Sequence, residues 1–267
     1  TRINWRNHRK LCIIDGRIGY LGGMNIADEY INIRSPHGYW MDCSVILKGA
    51  ATTSFAVAFC EMWNSISREQ LDTKNYVIYD FPKVRGFVQP YVENPLDTKH
   101  NPAEGIYRQI LGSAEDYVYI TSPYLILDNT MQNALISASK AGIDVRIITP
   151  KIGDKWYVHP VTQSYYQELL DAGVKIFEYT PGFIHSKVYL VDDRYALVGT
   201  VNLDFRSLYL HFEDAVYMYK NSEVYNVEED FQNTLSMCQK ITLENCKNYS
   251  FVKRLLGAFL KIIAPLM

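Results

Sequence analysis

Two nineteen-residue stretches of this chain share one skeleton, and that duplication constrains its fold more than any other feature. "NHRKLCIIDGRIGYLGGMN" opens at residue 7 and "IHSKVYLVDDRYALVGTVN" at residue 184. His8-x-Lys10 recurs as His185-x-Lys187, and Asp15 as Asp192. Gly22-Gly23 becomes Gly199-Thr200, and Asn25 becomes Asn202; every pair is offset by 177 residues. Further on, Asp42 heads "DCSVILK" and Glu213 heads "EDAVYMY". Their offset of 171 places a six-residue difference in the intervening loop, where the first copy reads "NIRSPHGY". Long helical patterns come next, roughly 50–69 and 222–241. A repeat of this kind means two copies of one supersecondary unit.

The spacing inside each copy has a local explanation. Leu11 to Ile14 and Val188 to Val191 are apolar or β-branched runs that end at Asp-Gly or Asp-Asp, the chemistry of a hairpin turn. Arg17 to Leu21 and Tyr195 to Val198 are the return strands. Strand residues two apart share a face, so His8 projects with Lys10 and His185 with Lys187. Asp15 and Asp192 sit at the turn and are expected to hold the hairpin. The small pair after the return strand allows close backbone approach, and Asn25 or Asn202 is expected to open a helix.

About 100 residues precede the second copy, from near Arg85 to Ile184. They read as strand 117–121, helix 128–141, strand 143–149, helix 158–172 and strand 174–179, a βαβ alternation. Only seven residues precede His8 of the first copy. The expected fold is therefore α/β, with two repeated units of mixed sheet and flanking helices about a pseudo-two-fold axis. The first unit is expected to be incomplete, as in an N-terminally truncated chain. The boundaries fall at 1–83, 84–248 and 249–267, the last an amphipathic tail. The two motif strands are expected to be adjacent, with the histidines facing one cleft.

Hydrophobic residues make up 48% of the chain, which excludes a disordered protein. A net charge of −2 without a basic stripe argues against a general nucleic-acid binder. The five cysteines (Cys12, Cys43, Cys60, Cys238 and Cys246) show no C-x-x-C pair and read as small buried residues in a reducing compartment. No run of 18 apolar residues occurs. No cluster with metal-ligand spacing is visible, so neither metal nor cofactor is expected. His37, His100, His159 and His211 belong to no constellation and default to surface or core. Tyr165 and Tyr166 read as core rather than as the lining of a lipid mouth.

The duplicated H-x-K-x4-D-x6-G-(G/S/T)-x-N skeleton resembles the phospholipase D superfamily. The text around it, "SPYLILD", "SYYQELLDAGVKIFEYTPGFIHSKVYLVDD" and "GTVNLDFRSLYLHFE", is similar to bacterial cardiolipin synthases. The resemblance implies phosphodiester exchange by His8, Lys10, Asp15, His185, Lys187 and Asp192. One histidine attacks phosphorus and the other handles the alcohol proton, while the lysines and Asn25 and Asn202 hold the non-bridging oxygens. Asp42 and Glu213 fit carboxylates that orient the histidines, each expected to serve the histidine of its own copy. By the family's usual assignment His8 is the nucleophile.

The resemblance also implies a phosphatidyltransferase that joins two phosphatidylglycerols into cardiolipin and glycerol. Its setting would be the cell membrane, with catalytic domains on the cytoplasmic side and anchors in the missing N-terminal part. Hydrolysis of a lipid, or less readily of nucleic acid, is the alternative, as is an inactive lipid-binding relative. The tail "SFVKRLLGAFLKIIAPLM" reads as an amphipathic helix ended by Pro265, suited either to an anionic membrane surface or to docking on the protein.

Overall fold

The structure, a computed structural model, describes residues 5–79, 84–97 and 101–264. The first copy forms the short strand β1 (Arg6–Asn7), the hairpin β2 (Leu11–Ile14) and β3 (Ile18–Gly22), then β4 (Tyr39–Met41), β5 (Ser44–Lys48) and helix α1 (Ala51–Ile66). The intervening region forms β6 (Phe87–Glu93), α2 (Pro102–Ser113), β7 (Tyr117–Thr121), β8 (Leu125–Ile126), α3 (Asn129–Lys140), β9 (Asp144–Pro150), α4 (Val158–Asp171) and β10 (Lys175–Tyr179). The second copy forms β11 (Gly182–Ile184), β12 (Val188–Val191), β13 (Tyr195–Gly199), β14 (Leu203–Asp204), α5 (Phe205–Tyr209), β15 (His211–Tyr219) and α6 (Glu223–Ser236). The chain continues through β16 (Cys238–Lys240), α7 (Leu243–Lys247) and α8 (Phe251–Ile262).

One mixed sheet organises the molecule. Its order is β1-β15-β13-β12-β7-β9-β10-β16, with β6 also on β15. β7, β9 and β10 run parallel, as expected of βαβ units, whereas β12, β13 and β15 are antiparallel neighbours. Both faces of the central strands β7, β12 and β13 are covered, so these are near-continuous apolar runs rather than alternations. In β12, Tyr189 and Val191 join a core with α2, α3 and α4, built on Ile120, Ile147, Leu135 and Leu169. Val188 and Leu190 face the other way, into a core shared with Leu21, Leu47 and Phe55 of the first copy and Phe231 of α6.

The first copy's hairpin belongs to a separate sheet, β2-β3-β5. The motif strands β2 and β12 are therefore not neighbours in one sheet, contrary to the sequence expectation. β12 is paired on both edges, by β13 and β7. Among the described residues β2 is paired only by β3, and its burial alternates.

Other differences are local. The helix over 222–241 stops at Ser236, and Cys238–Lys240 instead adds a strand to the sheet edge beside β10. Cys12 is exposed, Cys60 and Cys246 are buried, and all five cysteines are free. Tyr165 and Tyr166 lie in the core, with Tyr166 Oη 2.6 Å from Thr149 Oγ1. His100 and Pro265 lie outside the described residues. No helix among those residues is long and apolar enough to cross a membrane.

Candidate active site

The two copies grip each other by matching short strands. β1 pairs in parallel with β15, and β11 pairs in parallel with β4. His8 N donates to Phe212 O at 2.9 Å, and His185 N donates to Met41 O at 2.7 Å. These are the same bond seen from either side of a pseudo-two-fold axis. Each histidine is thus laid beside the carboxylate of the other copy. His8 Nδ1 lies 2.8 Å from Glu213 Oε2, and His185 Nδ1 lies 2.7 Å from Asp42 Oδ2. The expectation that each acid serves its own copy is overturned. The cause is topological, because the strand entering each motif pairs with the partner copy's acid-bearing strand. With Nδ1–H given to a carboxylate, Nε2 of each ring is left to meet a substrate.

The lysines follow the strand period. Lys10 Nζ donates to His8 O at 2.7 Å, and Lys187 Nζ donates to His185 O. Burial pushes both ammonium groups down to about 8. Burial also lowers His8, against the raising effect of Glu213. His185 goes well below its ordinary value, since it is buried and Lys187, Lys10 and His8 add like charge. The two acids diverge. Burial pushes Asp42 up to about 6, against Lys187 and the Cys43 N–H. Burial also works to raise Glu213, but the His8 charge and the donors His211, His8 and Thr200 outweigh it and hold the carboxyl at about 2.

The turn residues divide. Asp15, Gly16, Asp192 and Asp193 all have φ between 50° and 67°, the left-handed region that Asp and Gly tolerate. The Asp192 carboxylate accepts from Glu115 N (2.7 Å), Asp116 N (3.0 Å) and Tyr117 N (2.8 Å), which fastens the hairpin to the start of β7. Asp15 is exposed at a turn with no such strand beside it. Neither residue reaches the histidines; both hold structure. Asp15→Ala should cost about 1 kcal/mol, from the left-handed backbone. Asp192→Ala should cost about 3 kcal/mol or more, since three amides also lose their acceptor. Denaturant melts of the two variants check the difference.

The small pairs are dictated by proximity. A Cβ at Gly22 would stand 2.3 Å from Cys43 O, and one at Gly199 2.4 Å from Asp214 O. At Gly23 it would meet Asp42 Oδ1 at 2.1 Å. Thr200, its counterpart, instead donates its hydroxyl to Glu213 Oε2.

The chain is similar to known proteins along its whole length. A family model described as "Cardiolipin synthase, PLD-like domain" matches residues 107–235. A cardiolipin synthase of Alkalihalophilus pseudofirmus is 37% identical over 99% of this chain and 53% of its own length. An uncharacterized protein of Streptococcus mutans is 43% identical over 100% of the chain and 58% of its own length. The phosphatidylserine synthase structure from Haemophilus influenzae shares the fold, with a TM-score of 0.75 at 17% identity, over 100% of this chain and 71% of that one. The chain has a phospholipase D-like fold. It spans little more than half the length of these curated relatives.

Within the duplicated skeleton, the asparagines do not cap helices. Residues 23–34 form turns rather than a helix, and Asn25 Nδ2 donates to Tyr30 Oη at 2.6 Å. Tyr30 in turn sets its ring edge-on to His185, with centroids 5.3 Å apart. In the second copy α5 is capped by Asp204, whose carboxylate accepts from Ser207 N at 2.7 Å. Asn202 is buried with its Oδ1 unpaired.

His211 belongs to the site, although no sequence constellation marked it. Its ring lies 5.3 Å from that of His8 at 40°, as Trp40 lies 5.3 Å from His185 at 43°. His211 is buried, and its Nδ1 stands 3.5 Å from Glu213 Oε1, the long limit of a hydrogen bond. The signal was there to use: His211 and Glu213 are two apart on one strand and so share its face. Among the described residues, His8, His211 and Glu213 bring ligand-capable atoms within 4.8 Å of one another. The close His8–Glu213 hydrogen bond already engages two of the three.

Proposed function

We propose that the protein is a phosphatidyltransferase that makes cardiolipin and glycerol from two molecules of phosphatidylglycerol at a cell membrane, with its catalytic region on the cytoplasmic side. The observation that carries this reading is the crossed pair of His–carboxylate couples, each histidine with a lysine on its own carbonyl, Lys187 buried and Lys10 half-buried. Such a site can hold a phosphodiester anion while one imidazole attacks and the other manages the proton. His8 Nε2 attacks phosphorus, the P–O bond to the departing glycerol breaks, and that oxygen takes the proton from His185. The second phosphatidylglycerol then gives its hydroxyl proton to His185 and attacks phosphorus, and the P–N bond breaks to free His8. Glu213, the firmer anion, suits the histidine that becomes a cationic phosphohistidine. The substrate's own charge between Lys10 and Lys187 offsets the cations that depress His185, so that it can carry the proton.

Incubating the protein with phosphatidylglycerol tests the reading. Cardiolipin with glycerol supports it, whereas phosphatidic acid as the product would make the protein a hydrolase. The two lysines supply the charge that a metal would otherwise provide, so a chelator should leave turnover unchanged, measured as cardiolipin formed with and without EDTA. The rate should also be bell-shaped in pH. Asp42, raised to about 6, loses its charge and its hold on His185 as pH falls through that value. Lys10 and Lys187, lowered to about 8, lose theirs as pH rises through it. A profile of kcat/KM against pH should show limbs near those two values; activity flat to pH 10 would contradict the lysine role.

A further inference from the structure

Helix α8 docks on the protein by Leu256, Gly257 and Leu260 and turns a second apolar side outward. Gly257 and Leu260 are buried. A Cβ at Gly257 would stand 2.6 Å from Pro160 O of α4, so the two backbones touch there. Lys261 Nζ lies 4.0 Å from the centre of the Tyr165 ring and 4.0 Å from Glu168. On the opposite side Phe251, Val252, Leu255, Phe259 and Ile262 are 60–77% exposed. At helical spacing they fill a stripe about 100° wide. The sequence left open whether this helix docks on the protein or faces a membrane; it docks by one side and keeps its apolar stripe free. A contiguous apolar face of that kind marks an interaction surface.

This face is linked to the mouth of the site. Lys253, in the first turn of α8, adds like charge at His159, whose side chain packs over Gly153. The same loop, 151–157, carries Asp154, which accepts from Tyr124 Oη at 2.6 Å, and Lys155, 4.9 Å from the Tyr124 ring. It also carries Trp156, 77% exposed. On the other side of His185, the loop that holds Tyr30 exposes Ile26, Ile31 and Ile33. Charge identifies the occupant. Lys247 and Arg254 are exposed beside the stripe, and residues 245–264 include no acidic side chain, although the whole chain is net negative. A second copy presenting the same face would set these cations against their equals; an anionic bilayer would attract them.

We propose that the outer stripe of α8, with Trp156 and the loop around Tyr30, is a docking surface for an anionic phospholipid bilayer, and that it lays the mouth of the site on the headgroup layer. The proposal rests on the phosphatidyltransferase reading and deepens it, since the lipid would reach the histidines without leaving the membrane. The 267-residue chain can be tested by co-sedimentation with vesicles of phosphatidylglycerol and phosphatidylcholine. The double variant Leu255→Glu/Phe259→Glu changes only exposed positions, so its melting temperature should be unchanged. Its vesicle affinity should fall by about tenfold or more. Brominated phosphatidylglycerol should quench tryptophan fluorescence in the parent chain, and much of that quenching should vanish in Trp156→Phe. Undiminished vesicle binding by the double variant would overturn the surface, as would a dimer that the substitutions convert to monomer. Turnover of detergent-dispersed phosphatidylglycerol separates the two readings. The double variant should keep it. Normal vesicle binding by the parent chain without turnover in detergent would count against the enzyme and leave the surface standing.

Discussion

Alanine at either His8 or His185 is expected to lower phosphatidylglycerol turnover by roughly 10,000-fold, and the double substitution to cost no more than the larger single loss. The two imidazoles act on one phosphorus in sequence. Without the nucleophile there is no intermediate for the other to protonate or cleave, and without the acid the glycerol leaves as an alkoxide. Their free-energy costs therefore overlap instead of adding. His8→Ala should also abolish trapping of a phosphohistidine, whereas His185→Ala should still trap one from a substrate whose leaving group needs no proton. Cardiolipin formation and acid-quenched labelling read the two effects separately. Substantial turnover in either single variant would sink the two-histidine scheme.

The two His-x-Lys pairs were legible because duplication converts weak signals into a strong one. A lone His-x-Lys in a strand says little, but the same pair recurring at a constant offset with Asp, Gly and Asn does not arise by chance packing. The βαβ region was legible for a different reason. Its strands are buried on both faces and its helices present one apolar face each, so pattern and fold agree, as at Tyr117–Thr121 and Asn129–Lys140. The helix expected after Asn25 fails because helix propensity needs an apolar face to bury. Ile26, Ile31 and Ile33 have no surface to cover in the described structure, and Asn32 takes φ of 60°. The hairpin turns are alike in backbone but not in role, because among the described residues Asp192, and not Asp15, holds the start of a neighbouring strand. The pairing of histidines with acids was illegible in principle. The repeat fixes which residues correspond, but a symmetric sequence is equally consistent with pairing within a copy or across the axis. Only the contacts β1–β15 and β4–β11 break that tie.

The crossing predicts opposite behaviour for two similar substitutions. Glu213→Gln and Asp42→Asn each remove a charge that accepts from an imidazole Nδ1–H, and each should slow phosphatidylglycerol turnover by roughly 1,000-fold. They should part when the leaving group is made acidic enough to depart unprotonated. Asp42 serves His185, whose proton is then not needed, so most of the Asp42→Asn deficit should disappear in the first turnover. Glu213 serves His8, which must still attack and carry positive charge as a phosphohistidine, so the Glu213→Gln deficit should persist. Histidine NMR gives an independent reading. Glu213→Gln should move the His8 ring nitrogens and spare those of His185, and Asp42→Asn should do the reverse. Pairing within each copy would exchange both results: Asp42→Asn would then resist rescue and disturb His8. The Glu213 couple should also be the less sensitive to acid, because its carboxyl is held at about 2 while that of Asp42 sits at about 6. As pH falls through about 6, therefore, the first turnover should slow less with the activated substrate than with phosphatidylglycerol, since protonation of Asp42 weakens the hold on a proton that only the second substrate needs in that step.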